Sequence, residues 1–543
     1  SSPNAIGTVK RLLDIEKDKL IAILSLSDID DLRRSLNAQL GDKALKRIVL
    51  NYGSRDSIED LTDICISTAS KVYVFGENCE DDEKEQIHDS LNIECVKLIA
   101  RLRKGLSDLL PCIVAFDYLA TYHIYQYADL EDDVRNTIKF IPYNFNELWA
   151  RKMLVGVRCK SNNGVKQVQT PLDYSPITNQ MSDDYVHLII IGLSRIGEAI
   201  ALEAARICHY PNYQRKKTKI TIIDSNMHVE MDSFKQKCGE LFNLCRWEYI
   251  DIFNSSNNTV GGIVKKYHHL ITDKKNADFI DIEWKFIKGY DANMTVREYI
   301  ENSVCDEHAI TTVAICLNET HKALQSAMSL PNAVYEKAIP VLVNQRQSDS
   351  MIQALKFGAR YANLWAIGIL SEDLEDQLTT LIAYGKRINY VYSYYHSNGK
   401  SPDCIDDNAA SELWEDVRIS KRWSNVYSAA SIWTKLRCLT GTAQTIPNAT
   451  TIEHHIETLA RMEHNRWMVE ELLLGYRPVT EQEDYSIDKD RQLKSIKKQQ
   501  FIHYDIRPYE GLKTDEYGND VRENDKLIVR NIPNIVSPIS GNL

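Results

Sequence analysis

The sequence predicts an α/β protein in which two Rossmann-like units, each a doubly wound parallel sheet, are followed by a small, mainly α-helical domain. Three observations carry this expectation. Short apolar runs alternate with helix-period segments from about 40 to 150 and again from 185 to 395, the order that builds parallel sheets with crossover helices. One of these runs passes straight into a glycine-bounded turn and then an alanine-rich helical stretch. After about 396, tryptophans and long helical patterns replace the alternation.

The first unit, 1–150, contains the apolar run 48–52, then Gly53, Ser54, Arg55 and Asp56, and the amphipathic stretch 57–67. A strand is expected at 71–75, an acidic run follows at 77–85, a helix at 89–102, and another strand at 110–116. Residues 151–184 read as a linker, because 160–184 is poor in apolar side chains and holds Ser, Asn, Gly and Pro. In the second unit, 185–395, strands are expected at 185–191, 219–224, 284–287, 310–317 and 339–344. The first of these is nearly all apolar, as for a strand buried on both faces. The last domain, 396–543, has helical patterns at 409–439 and 452–474.

Composition narrows the function classes. With 43% hydrophobic and 26% charged residues the chain is expected to fold almost throughout. A net charge of −11 offers no field to draw in nucleic acid or an anionic membrane, and the short Lys/Arg clusters at 215–217 and 494–498 read as solvated faces. Cys65, Cys95, Cys112 and Cys316 lie in apolar runs and no Cys-x-x-Cys pair occurs, so buried thiols of a reducing compartment are expected, with neither a disulfide frame nor a metal site. No apolar stretch reaches the length of a membrane span and no signal-peptide core is present, which gives a cytoplasmic expectation. The chain begins Ser1-Ser2-Pro3, as would a portion of a longer polypeptide from which an upstream membrane segment had been removed.

The most informative motif is Gly192-x-Ser194-x-x-Gly197, which departs from the dinucleotide fingerprint at its middle glycine. The first glycine permits the tight turn and the third lets the helix pack close to the strand. Serine at 194 stays small but brings a hydroxyl near the phosphate position, and the helix N-terminus can still receive an anion. Asp224 ends the next strand, where a carboxylate accepts hydrogen bonds from ribose hydroxyls. Its distance along the chain exceeds the usual interval of about 20 residues, and the polar insertion 210–217 takes up the excess. Two readings stand: a bound nucleotide, or glycines that only shape the turn of an empty site. Arg195 either reaches a phosphate or pairs with Glu198.

The turn residues, then Asp224, then Ala314-Ile-Cys-Leu317 with Asn318, then Ile339-Pro-Val-Leu-Val-Asn344, resemble the nucleotide-binding lobe of RCK domains, the regulators of potassium conductance of channels and Trk-type uptake systems. The resemblance covers about 185–370. A weaker form covers 40–150, where Gly53-Ser54-Arg55 occupies the turn without the later glycines, as in a degenerate copy that serves packing. It implies an adenine nucleotide or NAD(H) held by Gly192, Ser194, Arg195, Ile196 and Gly197, with Asp224 at the ribose and Asp291 as the acidic residue after the third strand. It further implies a homodimer or an internally paired monomer, and a channel or transporter as partner, on another chain or on an upstream membrane segment.

In the last domain, Leu459-Ala-Arg-Met-Glu-His-Asn-Arg-Trp-Met468, Leu474-Gly-Tyr476 and His503-Tyr-Asp-Ile-Arg-Pro-Tyr509 resemble the RyR domain, a module named for ryanodine-receptor repeats that also occurs in bacterial proteins. Glu463, Arg466 and Glu470 share one helix face. Either Trp467 is core, His464 a hydrogen-bonded structural histidine and Glu463–Arg466 an ordinary ion pair, or Arg466, Trp467, Tyr476, Arg507 and Tyr509 line an aromatic, basic pocket for a small anion.

No catalytic residues are expected. There is no Gly-x-Ser-x-Gly elbow, no His-Glu-x-x-His and no substrate lobe after the fingerprint. The expected function is a ligand-sensing regulator that binds a nucleotide in the second unit and a second ligand or partner through the last domain, controlling potassium or other ion transport. The alternatives are a receptor for a nucleotide-derived second messenger in a bacterial stress or anti-phage system, and an NAD(P)-dependent oxidoreductase or nucleotide hydrolase.

Overall fold

A computed structural model describes residues 3–76, 87–127, 130–160, 166–253, 262–265, 280–345, 350–356, 360–368, 373–442, 445–515 and 518–538. The chain forms two compact units, 1–148 with 369–377, and 149–368 with 378–543. The acidic run at 77–85 lies outside the described residues. Among the described residues no helix is long and apolar enough to cross a membrane.

In the first unit, β1 (Ile21–Ser25) and β2 (Ile48–Tyr52) form one parallel pair, and β3 (Val72–Val74), β4 (Leu110–Phe116) and β5 (Ile138–Asn144) form a second parallel sheet in that order. The expected strands at 48–52, 71–75 and 110–116 are all present, but they divide between two sheets. β5, unforeseen, carries Pro142 and lies at a sheet edge, where a strand tolerates the missing N–H. Helix His88–Leu102 buries Val96 and Ile99. The Gly53 turn is closed from within, because the Asp60 carboxylate accepts the Ser54 N–H at 2.7 Å. Cys95 and Cys112 are buried as expected. Cys65 is exposed, at a left-handed φ of 56° that ends the short helix Ile58–Asp63 and turns the thiol outward.

The second unit is built on an eight-stranded sheet of order β11-β10-β12-β9-β8-β13-β14-β15, comprising β8 (Tyr185–Ile191), β9 (Thr218–Asp224), β10 (Arg246–Asp251), β11 (Gly262–Lys265), β12 (Ile282–Lys288), β13 (Ala309–Ile315), β14 (Val341–Asn344) and β15 (Leu364–Ile367). All are parallel except β11, which runs antiparallel at one edge. A short antiparallel pair, β6 (Val157–Lys160) with β7 (Lys166–Gln169), precedes them. β8 is buried on both faces: Ile189 and Ile191 join Val313, Ile315, Val296 and Ile300 in one core cluster, while Ile190 faces helix α1 (Arg195–Ile207). The chain leaves β8 towards β9 on one side and returns to β13 on the other, so a topological switch point falls at the carboxyl ends of β8 and β13. β10, β11 and β15 were not foreseen. β10 reads Arg-Trp-Glu-Tyr-Ile-Asp, whose polar alternation suits a partly exposed strand, and β15 has only four residues.

The helical region, including α2 (Ile419–Thr440), α3 (Ile456–Leu473) and α4 (Arg522–Arg530), belongs to the same compact unit as the sheet. It packs on α1, every residue of which from Ala199 to Ile207 is buried. Burying Glu203 within α1 requires neutralisation. Arg151 Nε lies 3.1 Å and Arg206 Nη1 2.5 Å from its carboxylate, and both guanidinium groups stack on Tyr427 of α2, at 5.1 and 4.4 Å. Asn465 of α3 reaches the Asp281 carboxylate at 3.1 Å, which also holds His209.

The stretch 151–184, expected to be a linker, is in part load-carrying structure. Leu172 and Asp173 are buried, Thr312 Oγ1 donates to the Pro171 carbonyl, and Arg437 of α2 pairs with Asp173 at 2.7 Å. Its low apolar content concealed this, because the segment is anchored by polar contacts. Replacing Asp173 by Ala leaves the Arg437 guanidinium buried without its carboxylate, and is expected to cost about 3 kcal/mol in urea unfolding. A loss below about 1 kcal/mol would show that the Val155 carbonyl and Thr434 hydroxyl suffice for Arg437.

Candidate functional site

At the switch point, Gly192 follows β8 with a φ of 91°, a conformation that favours glycine, and its N–H donates to Ile223 O at 2.8 Å. A Cβ at Gly197 would meet the Gly192 carbonyl oxygen well inside van der Waals contact, and would also press on Cys316. The two glycines therefore fit the first and third roles of the fingerprint sterically: one makes the turn, the other seats the helix against it. Ser194 departs from the expectation. Its hydroxyl turns away from the helix and donates to the Cys316 carbonyl, tying the turn to the end of β13. It supplies no capping oxygen to the first turn of α1, which leaves the backbone N–H groups of that turn without a side-chain acceptor from this residue.

Asp224 is brought to the turn. Leu193 N donates to its Oδ2 at 2.9 Å and Asn226 N to its Oδ1 at 2.8 Å, so each oxygen keeps a lone pair for a further donor. Gly289 N, at the end of β12, donates to the Asp224 carbonyl at 3.0 Å, which sets Asp291 two residues beyond that contact, on the loop before helix Met294–Cys305. Ile196 is core and can offer a ligand only its backbone. Glu198 pairs with Lys237 at 3.1 Å, so the Arg195–Glu198 pairing has a competitor. Leu317, two residues past the end of β13, stands against Gly192, and Asn344 of β14 donates to the Leu317 carbonyl at 3.0 Å. The signal for these was present as asparagines ending apolar strands.

Gly197→Ala is expected to lower the stability of the second unit by about 2–4 kcal/mol, because the obstructing atom is backbone and cannot move aside. Thermal unfolding would check this. A change within 0.5 kcal/mol would mean that α1 can shift away from the turn.

The five residues expected to line a pocket in the last domain fall into two groups. Arg466 is enclosed: its Nε donates to Glu463 at 2.9 Å and its Nη1 to Glu470 at 2.5 Å, and Lys435 of α2 lies 2.7 Å from Glu463. Although burial opposes ionisation, Arg466 and Lys435 hold the Glu463 carboxyl down at about 2. Arg507 donates to the Tyr504 carbonyl at 2.7 Å and to Asp484 at 2.8 Å, and Tyr509 is buried with its hydroxyl on Glu457. These three are framework: the two guanidinium groups take neighbouring carboxylates, and the Tyr509 hydroxyl takes Glu457. His464, with Nε2 on the Arg507 carbonyl at 2.9 Å and Nδ1 3.4 Å from Asp525, is likewise a bonded interior histidine.

Trp467 and Tyr476 are different. Both are half-buried, and both meet the His503 ring, at centroid distances of 4.8 and 5.9 Å. His503 was not singled out from the sequence. Its Nδ1 accepts the Asp505 N–H at 3.2 Å, so its Nε2 carries the proton, and that buried Nε2 has no partner among the described residues. Burial, with Lys498 and Lys494 nearby, pushes its pKa well below the usual value, so the ring is neutral. Glu471, one turn beyond Trp467, is also buried, and its Oε2 is unpartnered. Burial raises its carboxyl to about 7, against the pull of Lys498.

A carboxyl raised in the fold above its ordinary 4.5 favours folding fully below about 4.5, and that contribution is lost as pH rises to 7. Glu471→Gln is therefore expected to match the wild type in stability at pH 4 and to exceed it at pH 8 by up to about 3 kcal/mol. Denaturant titrations of both proteins across this range check it. An equal difference at both ends would mean that the wild-type carboxyl ionises as it does in the unfolded chain.

The chain matches no protein-family model, and no curated protein matches it. Solved structures similar to it include GsuK bound to ADP, with 12% identity over 70% of this chain and 67% of that one at a TM-score of 0.33. Another is the human SLO3 gating ring, with 9% identity over 66% of this chain and 76% of that one at a TM-score of 0.36.

Proposed function

We propose that this chain is a regulatory sensor that binds an adenine nucleotide or NAD(H) at the Gly192 turn and does not turn it over. The observation that supports this most is the conjunction at one switch point of Gly192 at positive φ, a helix seated by Gly197, and the Asp224 carboxylate bonded to the turn itself. The phosphates lie on the N-terminus of α1, favoured by its dipole, and the ribose hydroxyls share Asp224. Asp291 stands at the far side of the same strand ends.

The other end of the mechanism is α1. A ligand held at its N-terminus acts on the element that carries Glu203, and through Arg151, Arg206 and Tyr427 on the helical region. It shifts the arrangement of that region by its differential affinity for the two arrangements. The resemblance of 185–370 to RCK lobes supports control of an ion pathway as the output, on a partner chain or a membrane segment of a longer polypeptide.

The test is thermal unfolding of wild type and Asp224→Ala with ADP, ATP, NAD, NADH, NADP and cyclic di-AMP. Saturating ligand is expected to raise the wild-type midpoint by about 2–4 °C, with the rise lost in the variant and no product formed from the bound nucleotide. A shift from cyclic di-AMP alone selects the second-messenger receptor. Turnover would make the chain an enzyme, and no shift with any of the six would leave the turn a packing device.

A further inference from the structure

The Gly192 turn does not account for the aromatic corner of the helical region. There Trp467 on α3, Tyr476 after the Gly475 turn, and Phe501 and His503 on the opposing segment bring four rings into contact, with Tyr476 and Phe501 at 5.2 Å. Phe501 is held at a φ of 58°, a conformation costing a non-glycine residue about 1 kcal/mol, and the residue is 57% exposed. The left-handed residue ends helix Leu493–Gln499 and sets the ring against Tyr476 at the surface. Behind the rings lie two buried polar atoms without partners, the His503 Nε2–H, a donor, and the Glu471 Oε2, an acceptor when ionised. Both adjoin Trp467, which meets the His503 ring edge to face at an interplanar angle of 76° and hydrogen-bonds to Glu471.

We propose that this corner is a second ligand site, which takes the nucleobase of a phosphate-bearing nucleotide. The base stacks on Trp467 and Tyr476 after the Phe501 ring swings aside, and the edge of the base supplies an acceptor to His503 Nε2–H and a donor to Glu471. A planar ring with an adjacent donor and acceptor is the shape that satisfies both orphan atoms at once, and stacking on aromatic side chains contributes about 1–3 kcal/mol per base. The exposed ammonium of Lys498, close enough to act on both Glu471 and His503, faces the phosphate. The same positive charge disfavours an organic cation, the other ligand that aromatic corners hold. The site is independent of whether the Gly192 turn is occupied.

The experiment is calorimetric titration of the full chain with AMP, GMP, UMP and cyclic di-AMP, in wild type, Glu471→Gln, Tyr476→Ala and Asp224→Ala. Glu471→Gln preserves shape and Tyr476 is half-exposed, so both variants are expected to fold, with circular dichroism as the control. Glu471→Gln and Tyr476→Ala should each weaken the binding of at least one of these nucleotides about tenfold or more, while Asp224→Ala leaves that binding intact. If no nucleotide of the four shows that pattern, the second site is wrong. A failure of the Gly192 reading is read separately, as the absence of any Asp224-dependent thermal shift with ADP, ATP, NAD, NADH, NADP and cyclic di-AMP, and leaves the outcome for Glu471→Gln and Tyr476→Ala untouched.

Discussion

The second unit depends on one constraint: helix α1 is buried on both sides. In an ordinary doubly wound sheet a crossover helix packs one face on the strands and leaves the other in water. Here the far face is covered by α2 and α3, and the glutamate that would have been solvated at 203 lies in the interior. Isolating a carboxylate from water costs several kcal/mol, so the fold is possible only because Arg151 and Arg206 meet it and Tyr427 backs both guanidinium groups. The ion pair Arg437–Asp173 repeats the solution, and Asn465 of α3 adds a hydrogen bond to the Asp281 carboxylate. Such contacts tie the helical region to the sheet by directional polar bonds, which fix one arrangement more narrowly than apolar packing does.

This has a consequence for function. The N-terminus of α1 lies at the switch point, where Gly197 seats it against the Gly192 turn, and its buried face carries the charges that hold the helical region. Any ligand that moves the first turn of α1 acts on a helix with no free face, so a small displacement is passed to α2 and α3 and not absorbed by solvent. The aromatic corner lies on the same α3 that receives α1, which places two proposed nucleotide sites on neighbouring elements of one compact unit.

Much of the sheet was legible in the sequence. Strands buried on both faces, such as β8 and β13, announce themselves as apolar runs, and the glycine turn follows from the sterics of two positions. What escaped was partly exposed or short, as with β10 and β15, or lay against a sheet edge, as with β5 and its proline. In the second unit the structure brings Gly192, Gly197 and Asp224 together at one turn, a proximity legible in the sequence because a fingerprint is local. Ser194 was misread, since the acceptor its hydroxyl finds, the Cys316 carbonyl, is brought to it only by the crossing of β13 over to β8.

The helical region was harder, and Arg466 shows why. On a helical wheel it shares a face with Glu463 and Glu470, which is equally compatible with a solvated ion pair, a ligand pocket and a buried network. Only the packing of α2, bringing Lys435 and Ser428 to Glu463, decides for the last. Nothing in the sequence marked the open atoms of His503 and Glu471, because an unpartnered atom is a property of what surrounds it. The sequence by itself determined the alternation of strands and helices, the glycine turn and the carboxylate beside it, since these rest on backbone sterics and periodicity within a few dozen residues. The tertiary structure alone decided which charges are buried and paired and which polar atoms are left open, because desolvation and hydrogen bonding depend on neighbours that are distant in the chain.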